Sequence, residues 1–177
     1  MPSGKTHDSI TFLIAVPTFA AAWLATRSVL LASVATGATL LGGLMFGPDL
    51  DIHSKQYTRW GPFRFVWWPY KVMFSHRSRW SHGIVFGTLI RVVYFAAVLT
   101  LLAAGGIYLR ALLTADGAPP DYGEIVRAWQ VIEAAASAQG TLRSLLVVAF
   151  AGLWWGAATH TMADVGWSML RKGKELF

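Results

Sequence analysis

The chain has 177 residues, of which 55% are hydrophobic and only 14% charged, with a mean hydropathy of +0.48 and a formal net charge of +6. That composition is too apolar for an ordinary water-soluble domain, and the length is too short for more than one or two domains, so the chain reads as one small polytopic membrane domain over residues 1–177. With no cysteine there can be no disulfide and no thiolate metal site, so any metal must be held by nitrogen and oxygen.

The first apolar run, Ile10 to Thr26, carries no charge and stops at Arg27-Ser28. Lys5 and Ala20-Ala21-Ala22 have the look of a cleaved signal, but cleavage would discard His7 and Asp8, so a retained helix is expected. Val29 to Gly47 is equally uncharged and follows with almost no loop, which predicts a helical hairpin ended by Pro48. Residues 48–82 then interleave Trp60, Phe63, Phe65, Trp67, Trp68, Tyr70, Phe74 and Trp80 with Arg and Lys, a composition suited to the headgroup layer of a membrane. Gly83 to Leu109 is apolar except for Arg91, which must either snorkel toward the interface, the favoured expectation, or face the bundle interior. Residues 110–143 form an external loop with a turn-rich break, ADGAPPDY at 115–122, and a surface helix over Gly123 to Gln139 striped by Ile125, Trp129, Ile132 and Ala136. The last run, Ser144 to Met162, is apolar up to His160. Each run has or approaches the ~20 helical residues needed to cross a bilayer core. The predicted fold is an all-α bundle of four transmembrane helices with an interfacial aromatic and basic loop.

Charge sets the orientation. Lys5, the cations of 48–82, and Arg171, Lys172 and Lys174 share one side of such a bundle. The other side has Arg27, Arg110, Arg127 and Arg143, balanced by Asp116, Asp121, Glu124 and Glu133. The positive-inside rule makes the richer side cytoplasmic, with both termini there and the protein multi-pass in a plasma membrane. Because the cations bracket apolar runs, their expected partners are membrane lipids and not nucleic acid.

All five histidines fall on that same side, together with Asp8, Asp49, Asp51 and Asp164. His160 and Asp164 are four apart and share a helix face. Asp49 and Asp51 flank one residue just past the second run, where two carboxylates can bridge or chelate cations. His76 and His82, six apart, suit a loop entering the third run, with Ser81 as its helix cap. The candidate metal ligands are therefore His7, Asp49, Asp51, His76, His82, His160 and Asp164. Four imidazoles and three carboxylates suit one or two divalent ions, zinc first and manganese or iron as alternatives. Asp49 or Asp51 would be the catalytic general base, and Arg77 and Arg79 would grip an anionic substrate. His53 lies beyond the carboxylate pair and stays outside the set, while Asp8 is placed to orient His7.

The blocks Ser3-Gly4-Lys5-Thr6-His7-Asp8, Phe46-Gly47-Pro48-Asp49-Leu50-Asp51, His76-Arg77-Ser78-Arg79-Trp80-Ser81-His82-Gly83 and His160-Thr161-Met162-Ala163-Asp164 resemble, in order, those of an uncharacterised bacterial family of metal-binding membrane proteins. That family is similar to the membrane-bound metal-dependent hydrolases. The resemblance implies a metal-dependent hydrolase at the cytoplasmic membrane interface, and a phosphoester or lipid-like substrate is the one a two-metal site suits. The alternative is a non-catalytic metal-binding subunit that stabilises or recruits a larger membrane complex.

Overall fold

A computed structural model describes residues 3–76, 78–114 and 119–174, without the side chains of 79 and 171–174. The regular structure among them is entirely helical. Helix α1 (Gly4–Thr26) starts at Ser3, whose hydroxyl accepts the Thr6 N–H, and stops at Arg27 in the left-handed region (φ 53°). Ser28 immediately caps α2 (Val29–Leu44) by accepting the Leu31 N–H. One left-handed residue and one cap therefore make the nearly loop-free hairpin.

Helix α2 ends at Leu44, short of the Gly47 expected from its apolar run. The reason lies in the segment that follows. Gln56 Nε2 donates to Gly43 O at 2.7 Å, Arg59 Nη1 to Leu44 O at 2.8 Å and Trp60 Nε1 to Met45 O at 2.8 Å. Side chains thus satisfy the last carbonyls of α2, and Pro48 opens a 3-10 turn (Pro48–Asp51) where it was expected to end the helix.

Three short helices follow: α3 (Lys55–Thr58), α4 (Trp68–Met73) beyond a 3-10 stretch (Gly61–Trp67), and α5 (Arg79–His82). The aromatic residues expected in a headgroup layer divide into two sets. Trp67 and Tyr70 are fully buried, and Trp67 stacks on Phe95 at 5.5 Å and meets Phe46 edge-on at 5.2 Å. Phe63, Phe65, Trp68 and Trp80 instead face outward. The segment is thus a small folded cap whose core is aromatic and whose outer surface carries the exposed rings.

Beyond the cap run α6 (Phe86–Thr114), α7 (Gly123–Ser137) and α8 (Thr141–Lys174). Four helical segments, Gly4–Thr26, Val29–Asp51, Phe86–Thr114 and Thr141–Leu170, are long and apolar enough to cross a membrane. The tightest pairing is α2 with α8. A Cβ added to Gly156 would lie 2.1 Å from Thr39 O, and one on Gly42 2.3 Å from Leu153 O, so the two backbones touch where only glycine fits. Arg91 takes the less favoured of its two expected placements, inside the bundle. It is 2% exposed and does not snorkel, because Nη1 donates to Ser81 O at 2.7 Å and Nη2 to Thr88 Oγ1 at 3.0 Å.

Candidate metal centre

Four parts of the chain deliver histidine and aspartate to one place. Helix α1 supplies His7 from its start, and the 3-10 turn after α2 supplies Asp49 and Asp51. The loop into α5 carries His76, α5 ends in His82, and α8 carries His160 and Asp164 one turn apart. The α2 to α8 contact at Gly156 sits one turn before His160, so close backbone packing fixes α8 against the α2 exit.

The donors form two groups. Ligand atoms of His7, His160 and Asp164 lie within 4.8 Å of one another, and so do those of Asp49, His76 and His82. In the first group His7 Nε2 is 3.2 Å from Asp164 Oδ1, His160 Nε2 is 3.8 Å from Asp164 Oδ2, and the two imidazoles stack at 3.7 Å. Asp49 joins the groups. Its Oδ2 is 3.3 Å from His160 Nε2, and its Oδ1 is 3.3 Å from His82 Nε2.

Asp51 is in neither group of three but touches two members of the second. Its Oδ1 is 3.0 Å from His76 Nδ1 and its Oδ2 is 3.5 Å from His82 Nδ1, so it holds the rear nitrogens of two histidines whose Nε2 atoms remain for other work. Ser81 Oγ also meets His82 Nδ1 at 3.0 Å. Ser81 is not the cap expected of it. It lies inside α5, where Ser78 Oγ accepts its N–H.

The donor set fits divalent metal by a test internal to the protein. Among the described residues His82 Nε2, His160 Nε2, Asp49 Oδ1 and Asp164 Oδ1 are buried without a hydrogen-bond partner, although each lies 3.2–3.8 Å from another of the cluster. These approaches lack hydrogen-bond alignment, and buried polar atoms left this way are costly unless something else satisfies them. A cation between them would do so, and mixed imidazole and carboxylate donors suit zinc, manganese or iron. Burial lowers the affinity of His82 for a proton, but the Asp49 and Asp51 carboxylates beside it outweigh burial and hold its pKa at about 9.

The other expected residues lie elsewhere. His53 is exposed beside Tyr57 and outside both groups. Asp8 does not orient His7; it binds Arg59 through both oxygens, at 2.9 and 2.6 Å, and Lys55 at 3.3 Å. Arg77 lies outside the described residues, and Arg79 is placed only by its backbone in α5. Gln56 is a participant that the sequence did not single out. Its Oε1 accepts the Asp49 N–H at 3.0 Å, and its Nε2 lies 3.3 Å from His160 Nδ1. A lone glutamine in a polar loop carries no spacing signal by which to find it.

Comparison with known proteins gives a family and no activity. A protein of Aquifex aeolicus (strain VF5) described as "Uncharacterized protein" is 41% identical over 56 residues, which are 31% of this chain and 39% of that protein's length. No solved structure matches the chain. Residues 2–174 match the family described as "Uncharacterized metal-binding protein (DUF2227)", and the chain, with two His/Asp groups able to hold metal, belongs to that family.

Proposed function

We propose that the protein is a membrane-embedded, metal-dependent hydrolase acting on a phosphoester at the cytoplasmic interface, the activity suggested by the similarity of its family to the membrane-bound metal-dependent hydrolases and the substrate that a two-metal site suits. One observation carries the reading: the two oxygens of Asp49 each face a histidine of a different donor group, the arrangement of a carboxylate shared by two ions. His7, His160 and Asp164 would hold one ion, His76 and His82 another, and Asp49 would serve both. Asp51, expected as a ligand or base, orients His76 and His82 through their Nδ1 atoms. Ions held by these residues would supply an activated water and polarise a phosphoryl oxygen. The four apolar helices anchor this centre at one bilayer face, on the side that also carries most of the cations.

The test is elemental analysis of purified protein together with turnover of phosphomonoester and phosphodiester substrates. About two zinc, manganese or iron ions per chain, and hydrolysis abolished by Asp49→Ala, are expected. Full metal with no turnover on either class would favour the non-catalytic subunit, and absence of metal would end both readings.

A further inference from the structure

A cavity of about 250 Å³ adjoins the donor cluster where α1 begins, α2 ends and α3 starts. Three of its lining residues, His7, Asp49 and His160, belong to the proposed metal centre, and three more, Lys55, Arg59 and Asp8, are charged. The volume is roughly eight times the ~30 Å³ share of one water, enough for a phosphoryl group.

Its donors are arranged for an anion. His7 is 6% exposed, and its Nδ1 has no hydrogen-bond partner among the described residues. A metal ion bound at Nε2, the nitrogen that faces Asp164, would leave the proton of the neutral imidazole on Nδ1, giving a buried N–H without an acceptor. Arg59 is fixed by Asp8 and by Leu44 O and contributes a stationary positive charge. Lys55 makes one contact to Asp8, at 3.3 Å, and its ammonium has three N–H groups to offer. Its side chain lies over Gly4, where a Cβ would come within 2.8 Å of Lys55 Cδ, so the small residue at position 4 makes room for it.

We propose that this cavity is the seat for a phosphoryl anion, which Lys55 and the His7 Nδ1–H bind and Arg59 attracts, beside the metal positions. The assignment rests on the hydrolase reading and moves the anion-binding role expected of Arg77 and Arg79 to the opening of α3. Lys55 and Arg59 are balanced by Asp8 and Asp49, so a dianion has a net attraction here only when cations occupy the centre. Binding of phosphate is therefore conditional on metal.

The experiment titrates inorganic phosphate into full-length protein in nanodiscs of zwitterionic lipid, metal-free and zinc-loaded, with zinc per chain measured on each sample. Saturable binding to the zinc-loaded form alone is expected. Lys55→Ala should weaken it about tenfold or more with zinc unchanged, Lys55→Arg should restore most of it, and Arg79→Ala should leave it intact. A second arm repeats the titration in discs doped with phosphatidic acid. Loss of phosphate binding there assigns the anion to a lipid headgroup, and equal binding in both assigns it to a soluble ester; either result supports the seat. Zinc-loaded protein that binds no phosphate, or a loss that follows Arg79→Ala and not Lys55→Ala, overturns the seat and leaves the metal centre standing. Protein that takes up no zinc overturns the hydrolase reading and the seat with it.

Discussion

Asp49 and His160 meet at 3.3 Å, Oδ2 to Nε2, while the other Asp49 oxygen lies 3.3 Å from His82 on a different part of the chain. A carboxylate so placed couples the two donor groups, and its loss should be felt at both. Asp49→Asn keeps the shape but replaces one oxygen by an amide nitrogen that cannot ligate. Metal affinity should fall at both positions, by at least the ~10–100-fold typical of perturbed outer-shell partners. His160→Ala should remove one equivalent and spare the other. Elemental analysis of metal per chain, on the two variants in matched detergent, reads the difference directly; an Asp49→Asn protein that keeps both ions would show that the carboxylate is not shared.

Protonation of His82 gives a second test, with opposite signs in the metal-free and loaded protein. Its pKa of about 9 in the folded chain lies above the ordinary 6.5. In the metal-free protein the charged imidazole beside Asp49 and Asp51 is therefore stabilising. That contribution is fully present below pH 6.5 and is lost as pH rises through about 9. Metal needs the neutral ring, so binding must expel this proton, and apparent affinity should rise by about tenfold per pH unit until near pH 9. Thermal melts of the metal-free protein should fall between pH 6.5 and 9, while metal uptake strengthens over the same window. His82→Gln should flatten the first curve.

Backbone packing of α2 on α8 is what places His160, and it can be broken one atom at a time. Gly156→Ala would set a methyl 2.1 Å from Thr39 O and 2.7 Å from Gly43 N, groups that cannot swing aside as a side chain can. Overpacking of this kind costs about 1–3 kcal/mol, and contact with backbone places it at the upper end. Gly166→Ala, on the same helix with nothing within 4 Å of the added carbon, should leave stability unchanged or slightly raised. Comparing the melting temperatures and metal contents of the pair checks whether helix separation controls the centre. Equal behaviour of the two variants would remove Gly156 from that role.

The sequence carried the apolar helices and the histidine clustering plainly, because both depend on composition and on spacing along one helix. His160 and Asp164, one turn apart, need nothing beyond α8 to face the same way. Asp49 and Asp51 show the limit. Two carboxylates two residues apart look equivalent in sequence, and only the 3-10 turn after α2 sends one between the donor groups and the other behind His76 and His82. The end of α2 at Leu44 is hidden from the sequence for a similar reason, since hydropathy cannot register that Gln56, Arg59 and Trp60 take its last carbonyls. For Arg91 the sequence allows either snorkelling or a place inside the bundle, and it does not show the acceptors at Ser81 and Thr88 with which the fold settles the matter for the interior.

Arg91 also offers the sharpest separation of the two proposed metal positions. Its guanidinium is 2% exposed, and its Nη1 holds Ser81 O at 2.7 Å, directly before His82 in α5. Ser81 Oγ in turn reaches His82 Nδ1, and Asp51 reaches both His82 and His76. The half of the centre built from His76 and His82 therefore depends on a short helix tied down by one buried cation. The other half stands on α1 and α8, which do not contact Arg91 through any of its hydrogen bonds. Arg91→Met fills much of the same space but removes every donor, leaving Ser81 O and Thr88 Oγ1 without their partner, and the loss of such buried charge-assisted bonds costs about 3–5 kcal/mol. Metal per chain should fall by the equivalent held at His76 and His82 and keep the equivalent held at His7, His160 and Asp164. Arg91→Lys, able to make only one of the two contacts well, should give an intermediate affinity at the weakened position. The decisive comparison is with His76→Ala: if Arg91→Met and His76→Ala lose the same equivalent, Arg91 acts by positioning that half-site, and if Arg91→Met loses both or neither, the buried cation has no selective part in it.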